Sequence, residues 1–470
     1  VILRPVLVAV CTTVLLACAA APEYQRPALD LPLAWKLEAP WRVGQPNDTA
    51  SKGDWWRIFG DATLDALQQQ TLQNSPTLAL AQARLLQARA TLAATSASAL
   101  PQLGLSERVS RQKISANRPL SNYASPNSST VQNELSVAMT VNYELDLAGR
   151  VEQSTAGARA SAAQAAAELE NTRLLLSADL AANYFNLREI DAELDVLDRA
   201  TGLQRRALEL VSARRELGAA SGLDVAQQQA LLETTLVQLE LLRRQRGQFE
   251  HAIATLTGTA APQFSLAPER RQQLAPAVPL GLPSELLQRR PDIAAAERAM
   301  AAANAQIGVA NAAFYPSIVL GSVLGADSRE LASLFDAPSL LWSLGLSAAQ
   351  TIFDGGRLRA NLDFSRAGYD ATVANYRRVV LLAMQEVEDG ITGLTALRRA
   401  SQQAATARAA AQRVLDMTRA RYDGGLSPYL ELVTAQQALL LSERQSVQLL
   451  GQELVTTVFL IKALGGSIPD

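Results

Sequence analysis

The chain has 470 residues, of which 48% are hydrophobic but only 5% aromatic, and its net charge is −2. A charge this near zero gives no electrostatic case for nucleic-acid binding. One His (His251) and two Cys (Cys11 and Cys18) exclude a His/Cys metal cluster and a disulfide framework. Much of the apolar content is Ala, which suits helices packed closely side by side.

Residues 1–17 read as a lipoprotein signal peptide. Arg4 supplies a short positive region and Val6 to Ala17 an apolar run. The run closes on Leu15-Leu16-Ala17-Cys18, an apolar residue, a variable one, a small one and Cys. Signal peptidase needs the small residue before its cut, and the Cys18 thiol accepts a diacylglycerol. The alternatives are an ordinary signal peptide or an N-terminal membrane helix, for which the run is short. Ala19, in place of Asp, directs the expectation to the outer membrane. Each buried acyl CH2 would contribute about 0.8 kcal/mol of anchoring. Cleavage removes Cys11 and leaves no free thiol. After Cys18 no uncharged apolar run is long enough for a transmembrane helix.

Residues 18–60 carry repeated Pro and four Trp (Trp35, Trp41, Trp55, Trp56) and read as an extended arm anchored by its Trp side chains. The first structural unit, 61–258, opens with a helical pattern from Asp61 to Ala99, with Pro76 near an early turn and Pro101 ending it. A β-hairpin at 102–146 follows, its two alternating segments separated by a polar loop rich in Asn, Ser and Pro. In the second segment Val131, Leu135, Val137, Met139, Val141, Tyr143 and Leu145 alternate with mostly polar residues, the period-two pattern of a strand with one apolar face. A single helix is predicted over 150–213, without a proline, on the stripe Leu180, Tyr184, Leu187, Ile190, Leu194 and Leu197. Such a helix reaches roughly 95 Å and needs partners along its length. The turn Gly218-Ala219-Ala220-Ser221-Gly222 leads to another helix ending at Gly258. A Pro-rich linker occupies 259–282.

The chain then repeats itself over 283–466, leaving a tail at 467–470. Pro76 and Pro291 are 215 residues apart, as are Pro101 and Pro316. Gly149-Arg150 and Gly356-Arg357 are 207 apart, as are Gly218 and Gly425. The second hairpin, 316–353, is therefore eight residues shorter, most simply in its loop. Trp342, Leu344, Leu346 and Ile352 keep the phase of the first long strand. The second long helix is predicted over 357–421 on Val380, Met384, Val387, Ile391 and Leu394.

Two repeats supply four amphipathic strands, too few to close a barrel, and their edges need partners. Three copies related by cyclic symmetry give twelve strands, a membrane barrel continued by a helical tube. The fold class expected is mainly α with membrane β.

At this point the chain resembles the TolC-like outer-membrane efflux channels, in their lipoprotein branch. The resemblance rests on Gly53-Asp54-Trp55-Trp56 with Phe59-Gly60-Asp61, on Asn142-Tyr143-Glu144-Leu145-Asp146-Leu147-Ala148-Gly149-Arg150, on Arg290-Pro291-Asp292-Ile293 and on Ala312-Ala313-Phe314-Tyr315-Pro316. It implies a homotrimer with a 12-stranded β-barrel and a 12-helix α-barrel. It further implies a passive exit duct of a tripartite pump, partnered by a periplasmic adaptor and an inner-membrane transporter of the RND type. The runner-up is a periplasmic adaptor, which usually has one helical hairpin between small β domains. An envelope enzyme on a coiled-coil scaffold is the third reading. No catalytic set, cofactor site or metal site is legible.

The candidate site residues lie at the turns. In the family, acidic residues after the second helix–helix turn ring the closed pore, and Glu431 matches the first of them. Thr434 stands where a second acid often occurs. Asp224 is the equivalent of Glu431 in the first repeat. The alternative is that both are first-turn acids complementing the helix dipole. Arg419, Arg421, Tyr422 and Asp423 flank the turn as candidates for the contacts that hold it shut. Gly149, Arg150, Gly356 and Arg357 mark the passage from strand to helix. Cys18 is the expected lipidation site.

Overall fold

The computed structural model describes residues 53–117, 130–270, 273–278 and 289–466. The expected signal peptide, Cys18, most of the N-terminal arm, the end of the first hairpin, part of the linker and the tail lie outside the described residues.

A 3-10 turn at Trp55–Phe59 precedes α1 (Ala62–Asn74) and α2 (Pro76–Ala97). Then come β1 (Gln102–Ile114), β2 (Thr130–Leu145), α3 (Arg150–Glu216) and α4 (Gly222–Leu256). The second half gives α5 (Pro291–Ala312), β3 (Ser317–Ser328), β4 (Leu340–Ala349), α6 (Arg357–Asp423) and α7 (Tyr429–Ala463). From α2 and from α5 onward the two halves share one order of helix, hairpin, long helix and helix. The 67 residues of α3 and of α6 give each helix a length of about 100 Å.

Two expectations are corrected. The helical pattern from Asp61 to Ala99 is broken at Ser75, which is extended (φ −66°, ψ 121°). Pro76 disfavours helix in the residue before it and is itself suited to a first helical position, so α2 starts afresh there. The second hairpin is also not shortened in its loop alone. Residues 115–129 connect the first pair of strands and 329–339 the second, but β2 has 16 residues where β4 has 10. Ile352 consequently falls outside β4.

The chain forms two compact units. One comprises 84–165 and 296–376 and holds the sheet, in the order β1-β2-β3-β4 with every neighbour antiparallel. The registers Leu105↔Met139↔Leu324↔Trp342 and Val141↔Ser322↔Leu344 fix one face. That face carries Leu103, Leu105, Leu135, Val137, Met139, Val141, Leu320, Leu324, Leu344 and Leu346. The other carries Ser106, Ser136, Thr140, Asn142, Gly321, Ser343 and Ser347. Strand side chains alternate, so one register sorts all four strands at once. On the helical side of this unit Gly157 brings α3 against Ala305 of α5.

The other unit comprises the described residues of 29–83, 166–295 and 377–470. Its core follows the predicted stripes: Leu180, Tyr184, Leu187, Ile190 and Leu197 are buried on α3, and Val380, Val387, Ile391 and Leu394 on α6. Trp55 and Trp56 are buried as well. Tyr184 donates to Asp61 Oδ2 at 2.6 Å, while Asp61 Oδ1 caps α1 by accepting from Thr63 N and Leu64 N. The repeat is visible in packing. Gly258, just after α4, lies on the backbone of Asn74, and Gly465, just after α7, lies on the backbone of Arg289. Both glycines have positive φ (73° and 87°), so each repeat closes its last helix onto the residue two before the proline that opens α2 or α5, by the same device. Arg290 secures the second closure through Asp292 (2.6 Å), Glu386 (2.6 Å) and the Ala463 carbonyl (3.1 Å).

Candidate functional site: the helical turns and the strand–helix junctions

The first helical turn is ordered by its own backbone and one capping box. Gly218 takes φ 77°, and Ala219 N donates to Arg214 O at 2.7 Å. Ser221 Oγ accepts from Asp224 N at 3.2 Å, and Asp224 Oδ2 accepts from Ser221 N at 2.8 Å. This pattern satisfies two otherwise unpaired donors at the start of α4. The Asp224 carboxylate thus caps the start of α4.

The second turn is built differently. Gly425 has φ 71° and Leu426 N donates to Arg421 O at 2.8 Å, but Pro428 precedes α7 and offers no side-chain cap. Glu431 is the acidic residue in the first turn of α7 and is exposed. Its backbone N–H donates to Pro428 O at 3.2 Å.

The turns are joined by a small core of Val211, Leu231, Tyr429, Leu432 and Val433. Inside it Tyr429 Oη donates to Gln228 Oε1 at 2.8 Å, and Gln228 Nε2 donates to Gln204 O at 2.9 Å. This buried chain links α7 to α4 and α4 to α3. Burial pushes the Tyr429 phenol up to about 12, helped by Tyr422 and Asp224, so it stays a donor. The Tyr422 ring lies 5.2 Å from that of Tyr429. Arg214 stacks 5.4 Å over Tyr422 and stands 4.0 Å from Asp423. Tyr422 and Asp423 are thus brought to α3. Arg421 instead reaches back to its own turn, 3.5 Å from Leu426 O, and Arg419 is exposed.

At the first strand–helix junction Gly149 has φ 74°. Arg150 grips Glu144 with two bonds, Nε to Oε1 at 2.8 Å and Nη2 to Oε2 at 2.6 Å. Asp146 Oδ2 accepts from Glu152 N at 2.7 Å and so caps α3. At the second junction Gly355 and Gly356 both have positive φ, 68° and 93°. Asp354 accepts from Gly356 N at 3.0 Å and Leu358 N at 2.9 Å. The Leu358 bond, the largest influence, holds its carboxyl below the usual range. Arg357 stands 4.0 Å from Asp354. α3 is entered through one glycine, an Asp cap and a bidentate ion pair, α6 through a glycine pair and an Asp cap.

Sequence reasoning singled out the glycines and arginines here but missed Asp354 as a cap, and at the turns it missed Tyr429, Gln228 and Arg214. A signal for Tyr429 was available: at the offset of 207 it faces Gly222, so the aromatic belongs to one repeat only. Among the described residues no group of His, Cys, Asp or Glu is arranged to hold a metal ion, and no helix is long and apolar enough to cross a membrane.

Residues 67–259 and 282–466 match the family model described as outer membrane efflux protein. The chain belongs to the outer membrane efflux protein family. It is similar to the outer membrane protein OprJ of Pseudomonas aeruginosa, with 33% identity over 454 residues, 96% of this chain and 93% of that one. It is similar to the toluene efflux pump outer membrane protein TtgF of Pseudomonas putida, with 32% identity over 457 residues, 96% and 94% of the two chains. Among solved structures it resembles the open state of the MtrE outer membrane channel of Neisseria gonorrhoeae, with TM-score 0.80, 26% identity and coverage of 95% and 98%. An outer membrane efflux protein is a trimeric passive channel, not an enzyme, and forms the outer-membrane part of a tripartite efflux system. Its trimer combines a β-barrel with an α-barrel. The free edges of β1 and β4 are what three such sheets need to close into twelve strands.

Proposed function

We propose that this channel is the exit duct of a pump for small toxic molecules, closed at its helical turns by Glu431 and anchored to lipid through Cys18. The observation that carries the gate is the contrast between the two turns. Asp224 spends its carboxylate on a capping box, whereas Glu431, at the equivalent place in α7, is exposed beside a turn without a side-chain cap. Three copies of Glu431 around a narrow axis repel anions and attract cations. Tyr422, Asp423 and Arg214 hold α6 against α3 next to it, and Arg419 and Arg421 stand at the same turn. Opening then consists of the α6–α7 turn leaving α3 and α4.

The partners proposed are a periplasmic adaptor and an inner-membrane transporter of the RND type. One relative is named for toluene efflux, and small apolar compounds are the cargo class favoured here. Planar-bilayer recording of the purified trimer tests the gate. Glu431→Ala is expected to raise the conductance of the closed channel and weaken its cation preference; unchanged values remove Glu431 from the gate. For the anchor, Cys18→Ala is expected to abolish incorporation of labelled palmitate, and undiminished labelling would refute lipidation at that residue.

A further inference from the structure

The first hairpin rises beyond the second at the end remote from the helices, the end that faces outward from the cell. β3 ends at Ser328, opposite Leu135, and β4 begins at Leu340, level with Ala326 and Val137. Above that level, among the described residues, β1 and β2 pair with each other alone within the chain, through Arg111↔Asn133 and Lys113↔Val131. A two-stranded ribbon has little stability of its own in water, so what lies against its faces matters. Those faces differ in charge. Strand alternation puts Val109, Arg111 and Lys113 on the face that carries Leu103 and Leu105 below, and Arg108, Ser110 and Gln112 on the other. On β2 the apolar row of the first face runs from Leu145 up to Leu135. At the rise and tilt of barrel strands this is a height of about 26 Å, which fills the apolar band of about 25 Å of outer-membrane barrels. Arg111 and Lys113 therefore begin where the band ends. Both are exposed, and two steps along a strand set them about 7 Å apart on one face. Glu107, the carboxylate of β1 on this face, lies lower, level with Val137.

We propose that Arg111 and Lys113 form a site for phosphorylated lipid headgroups of the outer leaflet, best matched by a glycolipid that carries two phosphates. The occupant follows from position and charge. The face below the pair is committed to acyl chains, so the layer beside the pair is the headgroup layer. The cross-strand neighbours, Asn133 and Val131, bring no negative charge to compete for the cations. A guanidinium takes phosphate oxygens two at a time, and the Lys ammonium adds a point charge for a second group. Asn133 is exposed opposite Arg111 and offers an amide donor to a sugar or phosphate oxygen. Three copies of the chain present three such sites around the outer rim, where they fix the height of the barrel in the membrane and support the ribbon of β1 and β2.

The test is titration of the full-length trimer, in detergent, with diphosphorylated lipid A as the probe. For the unaltered chain, lipid A stripped of its phosphates is expected to bind about tenfold more weakly, and inorganic phosphate in excess to displace little of the intact lipid. The double variant Arg111→Gln/Lys113→Gln is expected to raise the half-saturating concentration of lipid A by about tenfold, with the trimer intact. Arg111→Lys/Lys113→Arg should keep most of the binding, and Arg108→Gln, on the opposite face, should keep all of it. Equal binding of the stripped lipid by the unaltered chain overturns the site, whatever the variants do. Undiminished binding by the Gln double variant, or an equal loss on Arg108→Gln, overturns it as well. Displacement of lipid A by an equal concentration of inorganic phosphate would make this a site for free anions and overturn the lipid as its occupant.

Discussion

Tyr429 joins three helices through one hydroxyl. Its bond to Gln228, and that of Gln228 to the Gln204 carbonyl, are buried, so removing the donor leaves an acceptor without a partner. Tyr429→Phe is expected to destabilise the turn region by about 1–2 kcal/mol. Raised closed-channel conductance, with the trimer intact, is the readout. The Arg214–Asp423 pair, at 4.0 Å and largely exposed, contributes less than about 1 kcal/mol by itself. Glu189 makes a different residue-scale case. It packs against Gly451 of α7, and burial, with Glu193 adding to it, pushes its carboxyl from the model-compound 4.5 up to about 7. An acid whose folded pKa is raised loses stability as pH rises from its unfolded value through its folded one. The chain should therefore be more stable near pH 4.5 than near pH 7 on account of this group. Glu189→Gln is expected to remove that slope and to stabilise at pH 7 by about 2 kcal/mol. Denaturation midpoints of the two forms across this window check it, and parallel curves would count against it.

At the scale of elements, the strands were the most legible part. Period-two alternation located β2 from residue 131 onward, and the strand observed is Thr130–Leu145. The long helices were equally plain, because a proline-free apolar stripe has no competing reading. The end of β4 was not legible: Ile352 keeps the alternation, yet the strand stops at Ala349. The glycine pair at 355–356 and the Asp354 cap need residues 350–356 to enter the helix, where the first hairpin does so within 146–149. The alternating face also makes a direct prediction. Leu344 is opposite Ser322, mid-height in the apolar row. Leu344→Lys places a charge on the lipid face and is expected to cost about 2–4 kcal/mol of membrane stability. The heat-resistant trimer in membrane fractions should fall correspondingly, whereas Ser343→Lys, on the opposite face, should leave it unchanged.

For the whole molecule, the internal repeat governs what each part does. Both repeats close their last helix on their first through a glycine, at Gly258 and Gly465, so the two halves share one scaffold. They diverge at the helical turns: a capping box at one, an exposed acid two residues after a buried aromatic at the other. Neither half is complete without neighbours, since four strands leave two edges open and the family closes them as a trimer.

The sequence alone determined the repeat, the amphipathic strands and the long helices, because each of these is written in periodicity or spacing along the chain, and its motifs carried the resemblance to the family. Tertiary structure decided which acid is a cap and which is exposed, that Arg214 and Gln228 meet Tyr422 and Tyr429, and where the strands end. Gln228 and Tyr429 are 201 residues apart. No local pattern records that they touch; only the packing of α3, α4, α6 and α7 brings them within hydrogen-bonding distance.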